Sequence, residues 1–347
     1  MANWPMFHRD PSRTGFTPEK LAAPLSLLWI LQTEDRLFFA SPTVYHQRCY
    51  CGSRDGYLYA VDTLTGTLQW RCRTGDEGNL SNSVEDGLVF AGSNRDGCLR
   101  AISTDEGEAL WAFQTLGPVF ATPLVVENLV FIGSSDCNLY ALIKTSGKLV
   151  WKSKCGGELR YASCLYGQTL LSGATDGCLY ANLLETGTGL WRFKTEGPIH
   201  CTPAAHGNLV FVGSDDHRLY AINAENGEKS WDFRTENSIR STCAVAESKV
   251  ILTSLDGRCY ALDQFLGQLL WSYRTNDSVY SSPVVAGETV VFGSTDGCLY
   301  GLDLNSGKLE WRHDLGSPVI SSPAVAEGMV YIGAENGCLY ALKSAQA

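Results

Sequence analysis

Tryptophan recurs at a nearly fixed interval along this chain of 347 residues, and that interval limits the possible folds more than any other feature. Eight of the nine tryptophans lie 40 or 41 residues apart, at Trp29, Trp70, Trp111, Trp151, Trp191, Trp231, Trp271 and Trp311. A second marker, a tetrapeptide similar to Leu-Tyr-Ala-Leu, recurs in step from Leu58 to Leu339. A period of this length is typical of repeat architectures, so we predict eight copies of one structural unit.

The unit is clearest between Gly293 and Trp311, which reads GSTDGCLYGLDLNSGKLEW. Asp296-Gly297 and Ser306-Gly307 separate short apolar runs and therefore predict two tight hairpin turns. Together with the upstream run from Ser281 to Val285, they give four antiparallel strands, here called A, B, C and D in chain order. Four-stranded units at this period predict an all-β fold, a propeller of eight blades packed face to face around a central channel.

The repeating tryptophan falls on strand D, the outermost strand of each predicted blade. An indole placed between two blades would bury about 150–250 Å². At about 25 cal/mol per Å² that is a gross stabilisation of about 4–6 kcal/mol. We therefore expect the eight tryptophans to dock neighbouring blades onto one another.

The two ends of the chain carry complementary incomplete units. The last unit has strands A, B and C but no tryptophan, whereas the first has only a strand with Trp29. An open ring would expose two sheet edges, so the N-terminal strand is expected to complete the last blade. The prediction is one domain with a leader (1–23), a closing strand (24–33), seven contiguous blades (34–317) and three strands of the last blade (318–343).

Composition excludes several classes of partner. The formal net charge is −10 and the sequence pI is about 5.1, which argues against nucleic-acid binding because that requires a basic surface. No apolar stretch approaches the ~18–20 residues of a membrane span. The first residues also lack the layout of a secretory signal. We expect a monomer in the cytoplasm, or in the periplasm if a signal has been removed.

Thirteen cysteines suggest disulfides until their positions are compared. Four of them occupy one equivalent repeat position, at Cys98, Cys178, Cys298 and Cys338, where they are expected to act as small buried side chains. The odd total and the absence of a Cys-x-x-Cys pattern favour a reducing compartment. No cysteine or histidine spacing predicts a metal site.

Some of these residues resemble a known family. The segments AVDTLTGTLQW (60–70) and GLDLNSGKLEW (301–311) resemble the tryptophan-docking motif of the pyrroloquinoline-quinone-like (PQQ-like) propeller repeats, and WPMFHRDPSRTGFTP (4–18) resembles a segment that often precedes them. The resemblance implies the propeller fold. That family includes quinoprotein alcohol dehydrogenases, an outer-membrane assembly lipoprotein, and propellers appended to adenylating enzymes and kinases.

The dehydrogenases of that family share an adjacent Cys-Cys pair, a tryptophan beneath the quinone, and Glu, Asn and Asp ligands for calcium. This chain has no Cys-Cys, and docking accounts for every tryptophan except Trp4. We therefore expect a non-catalytic scaffold that binds a protein or peptide on the loop face. The alternatives are a quinone-dependent dehydrogenase or cofactor binder with PQQ and calcium, and an envelope assembly factor.

A candidate site follows from the residue just before each strand A. These residues are Phe39, Leu80, Phe120, Arg160, His200, Arg240, Tyr280 and Ile320. Arg160, His200 and Arg240 come from consecutive blades and predict a basic arc facing Phe39, Phe120 and Tyr280. Such an arc would bind a carboxylate or phosphate, since arginine offers bidentate hydrogen bonds. Alternatively, the arginines pair with Glu158, Glu236 or Asp277 and only solvate the loops.

An aspartate recurs in the turns between strands B and C, at Asp55, Asp96, Asp136, Asp176, Asp216, Asp256 and Asp296. Because it is present in nearly every unit, it predicts turn stabilisation rather than catalysis. No motif for a catalytic triad, a phosphate-binding loop or a zinc protease occurs.

Overall fold

The computed structural model describes residues 3–37, 40–75 and 81–345, and these form eight sheets. Two strands come before the first blade, β1 (Phe16–Thr17) and β2 (Ser26–Gln32). Within this part of the chain, no helix is long and apolar enough to cross a bilayer. The all-β, eight-bladed propeller predicted from the tryptophan interval is confirmed.

Blades 1 to 4 each contribute four strands in chain order. They are β3 (Thr43–Tyr45), β4 (Arg48–Gly52), β5 (Tyr57–Asp62), β6 (Leu68–Arg73); β7 (Asn82–Glu85), β8 (Leu88–Gly92), β9 (Cys98–Ser103), β10 (Ala109–Gln114); β11 (Leu124–Val126), β12 (Leu129–Gly133), β13 (Asn138–Ile143), β14 (Leu149–Lys154); and β15 (Cys164–Tyr166), β16 (Thr169–Gly173), β17 (Cys178–Leu183), β18 (Gly189–Lys194).

Blades 5 to 7 repeat this order, and blade 8 has three strands of its own. They are β19 (Ala204–His206), β20 (Leu209–Gly213), β21 (Arg218–Asn223), β22 (Lys229–Arg234); β23 (Ala244–Ala246), β24 (Lys249–Ser254), β25 (Arg258–Asp263), β26 (Leu269–Arg274); β27 (Val284–Ala286), β28 (Thr289–Gly293), β29 (Cys298–Asp303), β30 (Leu309–Asp314); and β31 (Ala324–Ala326), β32 (Met329–Gly333), β33 (Cys338–Lys343).

The inner strand A is shorter than predicted. In blade 7 it begins at Val284 instead of Ser281. Proline has no N–H to give to a ladder, so Pro283 delays the start of pairing. The backbone N–H of Ser282 instead donates to the Ser322 hydroxyl of the next blade (2.9 Å).

The N-terminal strand closes the ring, as predicted. Strand β2 pairs antiparallel with β33, and Trp29 lies opposite Ala341 in the register. The eighth sheet therefore has the order β2-β33-β32-β31, with strands drawn from both ends of the chain.

The structure places each repeating indole against the next blade. The Nε1 atoms of seven of the eight donate to a backbone carbonyl of that blade over 2.8–3.2 Å. The exception is Trp311, whose Nε1 has no hydrogen-bond partner among the described residues. Trp311 packs against blade 8, where Ser344 holds the position equivalent to the residues that supply the carbonyl acceptor in the other blades.

The leader passes the inner edges of the blades in turn. Its strand β1 pairs parallel with β27 and makes blade 7 five-stranded. Leader carbonyls accept hydrogen bonds from inner-strand N–H groups over 2.7–2.9 Å, in the pairs Val84–Pro5, Leu165–Pro11, Ala205–Ser12, Val245–Thr14 and Val285–Gly15. These bonds satisfy edge groups that a propeller channel otherwise leaves exposed. The sequence did not predict this arrangement.

Candidate functional site

A cavity of about 310 Å³ opens among the inner strands and is lined by residues from every blade. Those residues are Ser41, Ser81, Phe120, Thr122, Arg160, Tyr161, Ala162, His200, Thr202, Arg240, Thr242, Tyr280, Ser282, Ile320 and Ser322, together with Phe7 of the leader. We call it the channel cavity. Its volume is at the lower end of the range typical of small-ligand pockets.

The structure brings together five of the six residues that the sequence proposed for a site. Phe120, Arg160, His200, Arg240 and Tyr280 all line the channel cavity. Ile320, from the same set of equivalent positions, lines it too. Phe39 and Leu80 lie outside the described residues.

Asp215 organises one half of the basic arc. Its Oδ1 accepts from Arg240 Nε (2.9 Å), and its Oδ2 accepts from Arg240 Nη2 (3.0 Å). The same Oδ2 lies 2.9 Å from His200 Nδ1. Although burial alone would raise the pKa of Asp215, the hydrogen bonds from His200 and Arg240 outweigh it and hold that pKa well below its usual value. A carboxylate therefore fixes Arg240 and His200 in place.

Arg160 forms the other half of the arc. Its Nε donates to Glu158 Oε2 (2.6 Å), and its guanidinium carbon lies 5.4 Å from the centre of the Phe120 ring. The hydrogen bond from Arg160 lowers the pKa of Glu158, so this carboxyl group is ionised at neutral pH. Glu158 therefore contacts one edge of the guanidinium, and the Phe120 ring covers one of its faces. The 5.4 Å distance to the ring centre suits a cation–π contact. The Arg160 side chain stays 45% exposed at the cavity.

The sequence predicted only part of this pairing. Glu158 is one of the acids named in the alternative interpretation, but Arg240 pairs with Asp215, not with Glu236 or Asp277. Asp215 was visible in the sequence as a departure from the repeat. The equivalent turn position holds Thr175 in the preceding blade and Leu255 in the following blade. Because Asp215 and Arg240 belong to different blades, no local pattern links them.

Hydroxyl side chains form a belt below the arc, one from each blade except the fourth. Along the belt a backbone N–H of one blade donates to the hydroxyl of the next over 2.9–3.2 Å, in the steps Thr202–Thr242, Thr242–Ser282, Ser282–Ser322, Ser322–Ser41 and Ser41–Ser81. The step from Ser322 to Ser41 crosses the point where the ring closes. These bonds fix the angle between blades, and hence the spacing of the arc residues.

Ala162 interrupts the belt in the fourth blade, and the leader supplies a buried cation beside it. Arg13 Nε donates to the Ser163 carbonyl (3.2 Å), and its Nη2 donates to the Pro123 carbonyl (3.3 Å). The side chain is fully buried, and burial lowers its pKa to about 10, so it stays charged at neutral pH. Arg13 therefore places a positive charge beside the inner strand that follows Arg160 in the chain.

The recurring turn aspartates accept hydrogen bonds within their own turns. In blade 3, Asp136 Oδ1 accepts from the Asn138 N–H (2.9 Å), and Oδ2 accepts from the Tyr140 hydroxyl (2.6 Å). Hydrogen bonding to the carboxylate raises the tyrosine pKa, after the larger effect of burial. The same two bonds recur in blades 4 to 7, which is the turn chemistry expected from the repetition.

The repeat architecture of this chain has counterparts among known proteins. A family profile described as "Beta-alanine-activating enzyme, beta-propeller" matches residues 127–347, well over half of the chain. The chain belongs to this propeller family. A second profile, described as outer membrane protein assembly factor BamB, matches residues 54–187 of this member of the family. The predicted PQQ-like propeller is thereby confirmed, while no curated protein matches the sequence.

Solved structures share the fold of this beta-alanine-activating-enzyme type of propeller. BamB from Moraxella catarrhalis superimposes with a TM-score of 0.80 at 18% identity, covering 92% of this chain and 100% of that one. The quinohemoprotein alcohol dehydrogenase ADHIIG from Pseudomonas putida HK5 gives 0.87 at 15% identity, covering 99% and 80%. The computationally designed Ika8 protein gives 0.80 at 20% identity, covering 90% and 98%. At these identities the likeness shows the fold alone.

The channel cavity does not suit the quinone and calcium of the dehydrogenase alternative. Calcium takes oxygen ligands, mainly carboxylate and amide groups. The described side chains that line the cavity are those of Arg, His, Phe, Tyr, Ser, Thr, Ala and Ile, which include neither group. No cluster of three His, Cys, Asp or Glu residues elsewhere in the described chain is arranged to hold a metal.

Proposed function

We propose that this propeller is a non-catalytic scaffold that binds a protein or peptide through the channel cavity, with an acidic group of the partner held by the basic arc. The observation that supports this most is the convergence of Arg160, His200 and Arg240 on one cavity of an acidic protein. A carboxylate or phosphate entering there would meet two guanidinium groups that are already oriented by Glu158 and Asp215. Preorganisation reduces the entropy lost on binding.

The aromatic side of the cavity suits a peptide more than a free inorganic ion. Phe120, Tyr161 and Tyr280 line it beside the arginines, so a bound segment would gain apolar contact as well as charge pairing. Aromatic residues and arginine are the side chains most enriched at energetically important interface positions. The hydroxyl belt below them offers neutral hydrogen-bonding groups to the backbone of such a segment.

The family that matches residues 127–347 suggests the first partner to test. Because related propellers carry the name of a beta-alanine-activating enzyme, we propose that an amino-acid-activating module, on the same polypeptide or a separate one, docks at the arc face. An envelope assembly role is the second candidate, supported by the match of residues 54–187 to the BamB profile. The first candidate fits a cytoplasmic location, and the second fits an envelope location.

The test is affinity capture with the propeller as bait. The variant Arg160→Glu with Arg240→Glu reverses the charge of the arc, and Arg192→Glu with Arg274→Glu makes the same charge change on exposed outer strands. We expect the arc variant to lose a partner that wild type and control both retain, at an unchanged melting temperature. Identical partner sets for all three proteins would refute the proposal. Recovery of envelope β-barrel proteins would favour the second candidate over the first.

A further inference from the structure

Blade 3 departs from the repeat at two facing positions at once. In five other blades a glycine ends the turn before strand C, and a threonine follows strand D. The threonine N–H donates to the glycine carbonyl over 2.8–3.0 Å, in the pairs Thr33–Gly337, Thr74–Gly56, Thr115–Gly97, Thr195–Gly177 and Thr275–Gly257. In blade 3 both residues are cysteines, and Cys155 N donates to the Cys137 carbonyl (2.8 Å).

No other blade changes both members of this pair. His217 replaces the glycine where Thr235 is kept, and Leu315 replaces the threonine where Gly297 is kept. The cysteine at position 137 also adopts a φ of 67°, a left-handed conformation that disfavours side chains other than glycine. Backbone preference therefore does not explain a cysteine there.

The equivalent residues of two other blades indicate how close the side chains of Cys137 and Cys155 come. A Cβ built on Gly177 would lie 3.1 Å from Thr195 Oγ1, and one built on Gly257 would lie 3.7 Å from Thr275 Oγ1. In blade 3 the corresponding atoms are Cβ of Cys137 and Sγ of Cys155. The two residues also follow directly on the paired residues Asn138 and Lys154 of the ladder. Because Oγ1 is bonded directly to the threonine Cβ, these distances are compatible with two Cβ atoms about 3.5–4.5 Å apart, as a disulfide requires.

We infer that Cys137 and Cys155 form a redox-active dithiol that small-molecule disulfides such as glutathione disulfide convert into an intramolecular disulfide. Both thiols are free in the structure; Cys137 is partly buried and Cys155 is buried. Cys137 is the more accessible of the two to a soluble reagent, and Cys155 can then complete the reaction inside the protein.

The reaction proceeds by two exchanges. The Cys137 thiolate attacks one sulfur of glutathione disulfide, which forms a mixed disulfide and releases one glutathione thiolate. Cys155 then gives up its proton and attacks the Cys137 sulfur, which releases the second glutathione. The protein loses two electrons and two protons, and one glutathione disulfide becomes two glutathione molecules. Burial raises the pKa of Cys155 to about 12, so Cys137 is the thiol that attacks first.

The bond would act on the loop that carries Arg160. Cys155 is followed by Gly156, Gly157 and Glu158, and the loop then reaches the channel cavity at Arg160. A disulfide would tether the start of this loop to the turn at Cys137. The effect on a bound partner rests on the proposed function, whereas formation of the bond does not.

The test is mass spectrometry of the purified full chain after equilibration with reduced and oxidised glutathione and alkylation of the remaining thiols. We expect a cross-linked peptide pair containing Cys137 and Cys155, two hydrogens lighter than the reduced pair and separated again by dithiothreitol. Cys178→Ser is the first control, because Cys178 is the other buried thiol beside Cys155. This variant should still form the cross-link.

A second control restores the repeat. The double variant Cys137→Gly with Cys155→Thr should fold and show the same melting temperature in both glutathione buffers. Accumulation of glutathione on Cys137 without a cross-link would overturn the inference, as would pairing of Cys155 with Cys178. Failure of the partner-capture experiment would leave this outcome unchanged, so the two proposals can fail separately.

Discussion

Protonation of His8 is a perturbation whose effect on the ring can be worked out from the contacts of the leader. The side chain is 1% exposed, and its Nδ1 lies 3.3 Å from the Arg13 carbonyl. Its Nε2 has no hydrogen-bond partner among the described residues. Burial lowers the pKa of His8 to about 3; the hydrogen bond to Arg13 opposes this, and the Arg13 charge adds to it. His8 is therefore neutral in the folded protein above that pH.

The sign of the pH dependence follows from proton linkage. In the unfolded chain a histidine has a pKa of about 6.5. Between pH 6.5 and about 3 the unfolded chain binds a proton that the folded chain does not, so acid favours unfolding. Below the unfolded pKa the loss approaches about 1.4 kcal/mol per pH unit, and it sums to about 2.6 kcal/mol between pH 7 and pH 4.5. With an unfolding entropy of about 0.7 kcal/mol/K for a chain of this length, the melting temperature should fall by about 4 °C.

The assay is thermal unfolding, followed by circular dichroism, of the wild type and His8→Asn at several pH values between 7 and 4.5. Asparagine tolerates the positive φ of 55° at this position, and its amide can donate to the Arg13 carbonyl. The difference between the two proteins isolates His8, because both contain the same carboxylates. We expect the wild type to lose about 4 °C more than the variant over this range. Equal losses in both proteins would refute the assignment of His8 as a buried neutral side chain.

Three further predictions concern the ring. Gly147→Ala should lower the free energy of unfolding, measured in urea, by about 1–3 kcal/mol more than Gly167→Ala. A Cβ added at Gly147 would lie 2.5 Å from the Trp111 ring, whereas a Cβ added at Gly167 meets open space. Equal costs would mean that only the positive φ matters. Ser282→Ala should cost about 1–3 kcal/mol in the same assay by removing the acceptor of the Thr242 N–H, and a neutral result would contradict the role of the hydroxyl belt. The disulfide-bonded form of blade 3 should melt about 4 °C higher than the reduced form, since a closed loop of this size is worth about 3 kcal/mol; an unchanged melting temperature would contradict this.

The repeat carries much of what the sequence could predict about the site. Residues at equivalent positions are brought to equivalent places by the ring, so aligning the units was enough to place Arg160, His200 and Arg240 at one cavity. The tetrapeptide and tryptophan markers likewise predicted the number of sheets and the pairing of β2 with β33.

Positions that depart from the repeat are harder to interpret from sequence. Asp215 and the facing cysteines of blade 3 were both visible as departures, but their meaning depends on neighbours that alignment does not supply. Asp215 lies in the turn of blade 5 and pairs with Arg240 of blade 6. Only the packing of one blade on the next determines which arginine it meets.

The sequence by itself determined the eight-bladed ring, its closure and the docking of its indoles, because each depends on a pattern copied at a fixed interval and on contacts between adjacent units. Tertiary structure alone decided where the leader lies. That segment has no internal period, and its carbonyls meet inner-strand N–H groups that are between 40 and 270 residues away along the chain. Those groups share one channel only after the ring has closed, so no local pattern predicts that residues 4–17 line it or that Arg13 and His8 are buried there.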